Sequence, residues 1–160
     1  NTIKYGLASA FLPTVLLRLC AKTLGDFPAG RDVTRLRTDC DQRLPRAVTI
    51  RGVAGHMHVR GRDIRLSLVA KDGSERTLLH IPQWDFHWQD VYYLKQPVRA
   101  ASGDPQERLR VACTHDNSSE AQPHTHGVGG AAKPDPPRYV LWGEGTTDEM
   151  CLGVVLVTAG

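Results

Sequence analysis

Asp63-Ile64-Arg65-Leu66-Ser67-Leu68 alternates polar and apolar residues without a break. Successive side chains of an extended chain point to opposite faces, so this hexapeptide offers one face to water and one to a core. Lys71-Asp72-Gly73 follows as a hairpin turn, and Glu75 to Ile81 reads as the returning strand. Arg108-Leu109-Arg110-Val111 repeats the alternation. Further strands are expected at 14–20, 33–38, 47–58, 91–94, 138–142 and 150–157, and no segment sustains a helical period of 3.6. Short strands at this spacing point to an all-β fold, an antiparallel two-sheet sandwich or jelly roll of about eight to nine strands.

The 160 residues suit a single domain spanning 1–160, large enough to bury a core. Twenty basic and 17 acidic side chains are mixed along the chain and leave a formal charge of +3. That balance is too mild for a nucleic-acid footprint. The apolar start from Leu7 to Leu19 is interrupted by Pro13 and Arg18, so it reads as strands and not as a transmembrane segment. A chain opening on Asn1 reads as a mature or trimmed form. One long irregular stretch, 116–137, holds Gly127-Val128-Gly129-Gly130 and Pro134-Asp135-Pro136-Pro137, and is expected to be a flexible insertion. The four cysteines, Cys20, Cys40, Cys113 and Cys151, form no C-x-x-C. They allow three pairings; nearest-in-chain pairing would give Cys20–Cys40 and Cys113–Cys151, and four buried thiols are the alternative. Two bridges would place the protein in an oxidising compartment: secreted, periplasmic or otherwise extracytoplasmic.

Within the expected strand 47–58, Gly55-His56-Met57-His58-Val59-Arg60-Gly61 puts two histidines one residue apart. Residues i and i+2 of a strand share a face, roughly 6 to 7 Å apart, so two imidazoles there can share one metal ion. Far downstream stands Asp148-Glu149-Met150-Cys151. A thioether as third ligand would favour copper, above all Cu(I), because soft sulfur suits it. Val48, Ile50, His56 and His58 have the same parity, so the histidines extend a core-facing row unless a bulge at Gly52 or Gly55 resets it. Met57 then points to the opposite face, as a core residue. Asp63, Glu144 and Glu149 are the candidates by type for orienting the imidazoles.

Three blocks carry a resemblance: Gly55 to Asp63 around the histidines, Pro82-Gln-Trp-Asp-Phe-His-Trp-Gln89, and Trp142-Gly-Glu-Gly-Thr-Thr-Asp-Glu-Met150. Together with Asp116-Asn117-Ser118 they resemble the C-terminal domain of the copper type II, ascorbate-dependent monooxygenases, most specifically from about Val48 to Leu152. The family includes peptidylglycine α-hydroxylating monooxygenase and dopamine β-monooxygenase, and the wording here is nearer its bacterial members. The resemblance implies a copper ion, cycling between Cu(I) and Cu(II), held by His56, His58 and Met150, where O2 is activated. It also implies ascorbate or another reductant as electron donor, a small-molecule or peptide substrate, and the Cys113–Cys151 pairing, which would tether Met150. Family enzymes carry a second, all-histidine copper on a preceding domain, whereas residues 1–55 contain no histidine. The resemblance therefore implies a second copper domain elsewhere, an oligomer, or a stand-alone domain.

Several other residues invite a functional reading. His124 and His126 form a second H-x-H inside the insertion: a solvated loop, or a further metal site that His115 would join. His87, among Trp84, Phe86 and Trp88, reads as part of a packed aromatic corner, and His80 as a structural strand residue. Asn117-Ser118-Ser119 satisfies the glycosylation sequon. Arg60, Arg62 and Arg65 read as a solvated face that would also attract an anionic substrate such as a carboxylate. Two functions compete: a copper-dependent monooxygenase domain that hydroxylates a C–H bond, and a non-catalytic copper-binding or carrier module with the same His2Met site.

Overall fold

The computed structural model describes residues 14–19, 36–44, 46–101, 104, 106–118, 121–122, 124–125, 133–134 and 140–159, with the backbone alone at 14–19, 36, 124–125 and 133–134. Ten strands are formed: β1 (Thr14–Leu19), β2 (Leu36–Arg43), β3 (Val48–Met57), β4 (Gly61–Val69), β5 (Glu75–Ile81), β6 (Tyr92–Ala100), β7 (Arg108–His115), β8 (His124–Thr125), β9 (Lys133–Pro134) and β10 (Cys151–Ala159). One four-stranded sheet runs β1-β10-β3-β6 and the other β2-β7-β4-β5, every pairing antiparallel; β8 and β9 form a small ribbon of their own. The chain is an all-β sandwich, and no helix occurs among the described residues.

The core is the interface of the two sheets. β3 and β10 contribute Ile50, Val53, Met57, Val155 and Val157, and meet Ile64, Leu66, Leu68, Leu109 and Val111 from β4 and β7. Alternation explains β4 directly: Ile64, Leu66 and Leu68 face inward, as the period of two requires. The β4–β5 hairpin turns at Gly73, whose φ of +87° is one that glycine adopts without strain. The Gly73 amide donates to the Ala70 carbonyl (3.0 Å) and the Ala70 amide to the Ser74 carbonyl (2.9 Å).

In β3 the alternation changes phase. Val157 pairs with Ile50 but Leu156 pairs with Gly52, so Arg51 is an extra, unpaired residue on β3. Before this bulge Val48 and Ile50 face the core; after it Val53 and Met57 do. The expected core-facing row of His56 and His58 is thereby corrected: the bulge turns His56 to the outer face and sends Met57, fully buried, into the core. Gly55 has a different role. It pairs with Gly153 of β10, and both lie where the sheets approach closely. A Cβ at Gly55 would meet Ile64 Cδ1 at 2.8 Å, and one at Gly153 would meet Leu66 and Val111 at 3.2 Å.

Two other expectations change. β6 runs on to Ala100, past the expected end at Leu94, with Pro97 on a strand at the sheet's edge, where a missing amide is tolerated. Of the expected strand 138–142, the described part holds only an isolated bridge between Trp142 and Glu149.

Candidate metal centre

β3 belongs to one sheet and β4 to the other, so the chain must cross between them after Met57. It does so in a four-residue turn, His58-Val59-Arg60-Gly61, closed by the Gly61 amide donating to the His58 carbonyl (2.9 Å). A Cβ at Gly61 would meet Met57 Cβ and Trp84 Cδ1 at 2.8 Å, so glycine is what lets the crossing pass beneath the buried Trp84. His56 thus ends a strand and His58 opens a tight turn. Their rings lie 5.1 Å apart, edge to face at 86°.

Both imidazoles are oriented through Nδ1. His56 Nδ1 is 2.5 Å from Gln89 Oε1, and the Gln89 amide nitrogen donates to the Phe86 carbonyl at 2.6 Å. That second bond fixes the amide so that its oxygen meets His56, which makes Nδ1–H the donor. His58 Nδ1 is 3.2 Å from the Asp148 carbonyl, an acceptor only, so it too carries its proton on Nδ1. Each Nε2 keeps its lone pair, the form in which imidazole binds a metal. The expected orienting residues by type are replaced: Asp63 pairs with His80 (2.7 Å), Glu144 is exposed, and Glu149 faces His115. A glutamine and a backbone carbonyl do the work.

The segment that supplies Asp148 also supplies Met150. Gly145 donates its amide to the Asp148 carboxylate (3.0 Å) and the Asp148 amide returns to the Gly145 carbonyl (2.8 Å). A Cβ at Gly143 would fall onto that carboxylate, so the glycines in Gly143-Glu-Gly-Thr-Thr-Asp148 let the loop close. Cys151 pairs with Met57 and Leu152 with His56, so Met150 is the residue that immediately precedes this end of the ladder. Met150 is partly buried there. The Cys113–Cys151 disulfide joins β7 to β10, and so ties the two sheets together one residue from Met150. Cys20 lies outside the described residues, and with it the Cys20–Cys40 expectation.

Behind this pair lies a buried polar cluster that sequence reading missed. His115 Nε2 is 3.1 Å from Glu149 Oε2, and Arg60 Nη1 is 4.0 Å from Glu149 Oε1, all three residues being at most 1% exposed. Arg60 also donates to the Thr147 carbonyl and to Gln122 Oε1 (3.0 Å), while Gln122 donates to Asn117 Oδ1 (2.9 Å). The Glu149 carboxylate is held by ion pairs without a hydrogen bond, and the hydrogen bonds of Arg60 clamp the His58 turn to the loop that precedes Met150. The cluster also bears on three expectations. Arg60 is an interior residue, His115 is buried against Glu149, and Asn117 is buried with its side chain engaged, leaving a glycan no access in the folded domain. The second H-x-H cannot be placed: His126 and the His124 side chain lie outside the description.

His87 is a further correction. It is exposed and pairs with Asp85 (3.2 Å), while Trp84 forms the packed corner and Phe86 lies against His58 with ring centroids 6.3 Å apart. Arg62 is turned to Asp116 (3.6 Å) and to the Gly61 carbonyl (2.8 Å), and Arg65 lies beside His80.

Among the described residues no three His, Cys, Asp or Glu side chains converge to hold a metal ion. Two imidazoles with a thioether are ligand types whose chemistry fits copper. No helix among the described residues is long and apolar enough to cross a membrane.

No curated protein matches the chain. Among solved structures, the subviral particle of VP2 from infectious bursal disease virus is similar at 11% identity and a TM-score of 0.33, over 96% of this chain and 35% of that one. The structure of the Gx strain of that virus is similar at 12% identity and a TM-score of 0.31, over 96% and 34%. The chain spans about a third of those proteins, and likenesses so slight carry no argument. A family model matches residues 14–135, a span that holds His56 and His58 and ends before Met150. The chain therefore belongs to the copper type II ascorbate-dependent monooxygenases, as a C-terminal domain of that family.

Proposed function

We propose that this domain binds one copper ion through His56 Nε2, His58 Nε2 and the Met150 thioether, and that it hydroxylates a C–H bond with O2 and an external reductant such as ascorbate. The observation that carries the reading is the pair of imidazoles, with ring centroids 5.1 Å apart and each Nδ1 held by an oxygen, in a domain of this family. Copper bound there would supply O2 activation and hydrogen-atom abstraction. The chain's own part is orientation. Gln89 and the Asp148 carbonyl hold the rings, the Arg60–Glu149–His115 cluster holds the loop behind them, and the disulfide limits the drift of the weakest ligand. Substrate would reach the site from the outer face of the β1-β10-β3-β6 sheet, where His56 is partly exposed. The Cys113–Cys151 bridge supports an oxidising, extracytoplasmic setting.

Anaerobic Cu(I) titration with X-ray absorption at the copper edge, on wild type and Met150→Ile, tests the site. One copper per chain with sulfur scattering that the variant lacks is expected, followed by ascorbate-dependent O2 uptake and a hydroxylated product. The same scattering with no turnover under any reductant would favour a carrier module. No stoichiometric binding would end the assignment.

A further inference from the structure

We infer that the substrate surface is the outer face of β3 and β10 beside His56, and that it takes a neutral, apolar molecule presenting an alkyl or aryl C–H bond, not a carboxylate. This deepens the copper reading above and rests on it for the position of the chemistry.

The antiparallel register sets the residues of that face. Leu152 stands across from His56, Val154 across from Ala54, and Leu156 across from Gly52. Paired residues share a face, and all three β10 side chains are partly exposed while Cys151, Val155 and Val157 between them are buried. On the other side of β3, Tyr93 pairs with Gly52 and stands 76% exposed. Glycine at 52 lets the face close over: a Cβ there would meet Leu156 Cδ1 at 3.1 Å and Tyr93 Cδ1 at 3.5 Å. From His56 to the bulge, the described part of the floor is hydrocarbon. At the His56 end Phe86 lies against His58, and Trp88, next to Gln89 in the chain, is 79% exposed.

The basic residues near the site have other work. Arg60 is interior, Arg62 is bound to Asp116, and Arg65 points to His80 on the other sheet. Among the described residues, the first cations along this outer face are Arg51, whose Nε donates to Thr158 Oγ1 (3.2 Å), and Lys95 beyond Tyr93. Arg51 is five residues from His56 along β3, roughly 16 Å at strand rise. A carboxylate within a few bonds of the reacting carbon would lose water and meet no counter-charge among the described residues, whereas apolar carbon gains by covering this surface.

The test uses two probes of one aryl-alkyl frame, 4-phenylbutan-1-ol and 4-phenylbutyrate, titrated by ligand-observed NMR against the metal-free and the Cu(I)-loaded chain. The alcohol should bind at least about tenfold more tightly than the carboxylate in both forms. Val154→Arg, a change at a partly exposed position, should erase or invert that preference while copper stoichiometry stays at its wild-type value. Equal affinities, a preference for the carboxylate, or no binding of either probe would overturn the inference; in the last case, self-association in sedimentation would assign the face to a second copy. Loss of the copper–sulfur signal with the preference intact would sink the ligand set and leave the surface standing, and intact copper with no preference would do the reverse.

Discussion

Gln89 settles which nitrogen His56 presents, and it does so from a loop 33 residues away in the chain. Gln89→Leu removes the acceptor and frees the ring, so copper affinity should fall about 10- to 100-fold while the fold is kept, checked by competition titration against a Cu(I) chelator and by circular dichroism. The two histidines themselves were legible in the sequence because H-x-H on a strand has a geometric meaning. Their orienting partners were not. A backbone carbonyl such as that of Asp148 leaves no residue type to recognise, and the carboxylates that looked suitable, Asp63 and Glu149, were taken by His80 and His115. Asp72 gives a residue-scale pH dependence. The Ser74 hydroxyl and amide both donate to its carboxylate, and these bonds hold its pKa below the usual 3.8. A depressed carboxyl contributes to stability above its unfolded pKa and loses that contribution as pH falls through the folded one. The Ser74 amide resonance should therefore titrate with a midpoint below 3.8, and Asp72→Asn should abolish the transition.

At the scale of the strand, one extra residue decides what the motif can do. Were Arg51 paired in regular alternation and not bulged, the parity of Val48 and Ile50 would carry His56 into the core and Met57 to the surface. Deleting Arg51 removes the extra residue and joins Ile50 to Gly52 in one continuous ladder with His56 still outward, so copper binding should survive the deletion, measured by metal titration and calorimetry. Loss of copper binding in a folded deletion variant would show that the ladder does not set the face of His56. The period of two found the strands, including Glu75–Ile81 to the residue. It could not place the bulge, because both sides of the irregularity are apolar and the extra residue is an ordinary arginine. Glycine was the natural suspect, yet Gly55 is needed for close approach to Ile64 and Gly52 for room beneath Leu156 and Tyr93.

Across the whole molecule, the sandwich was readable from alternation and turn spacing, but the partition of strands between sheets was not. That partition depends on contacts far apart in sequence, such as β10 lying between β1 and β3. The Cys113–Cys151 bridge spans 38 residues and crosses from one sheet to the other. Replacing both cysteines by alanine should cost about 3–4 kcal/mol on loop-entropy grounds, read by chemical denaturation, and should broaden the copper–sulfur distance distribution.

The same bridge bears on how the protein is produced. Both sulfurs are buried, so the bond must form while the chain folds. In a reducing cytosol it would be left as two thiols, one of them adjacent to Met150. Thiolate is a softer and stronger partner for Cu(I) than a thioether. Material made that way would bind copper through sulfur for the wrong reason, and Met150→Ile would appear harmless. Counting free thiols before adding metal is what separates the two cases.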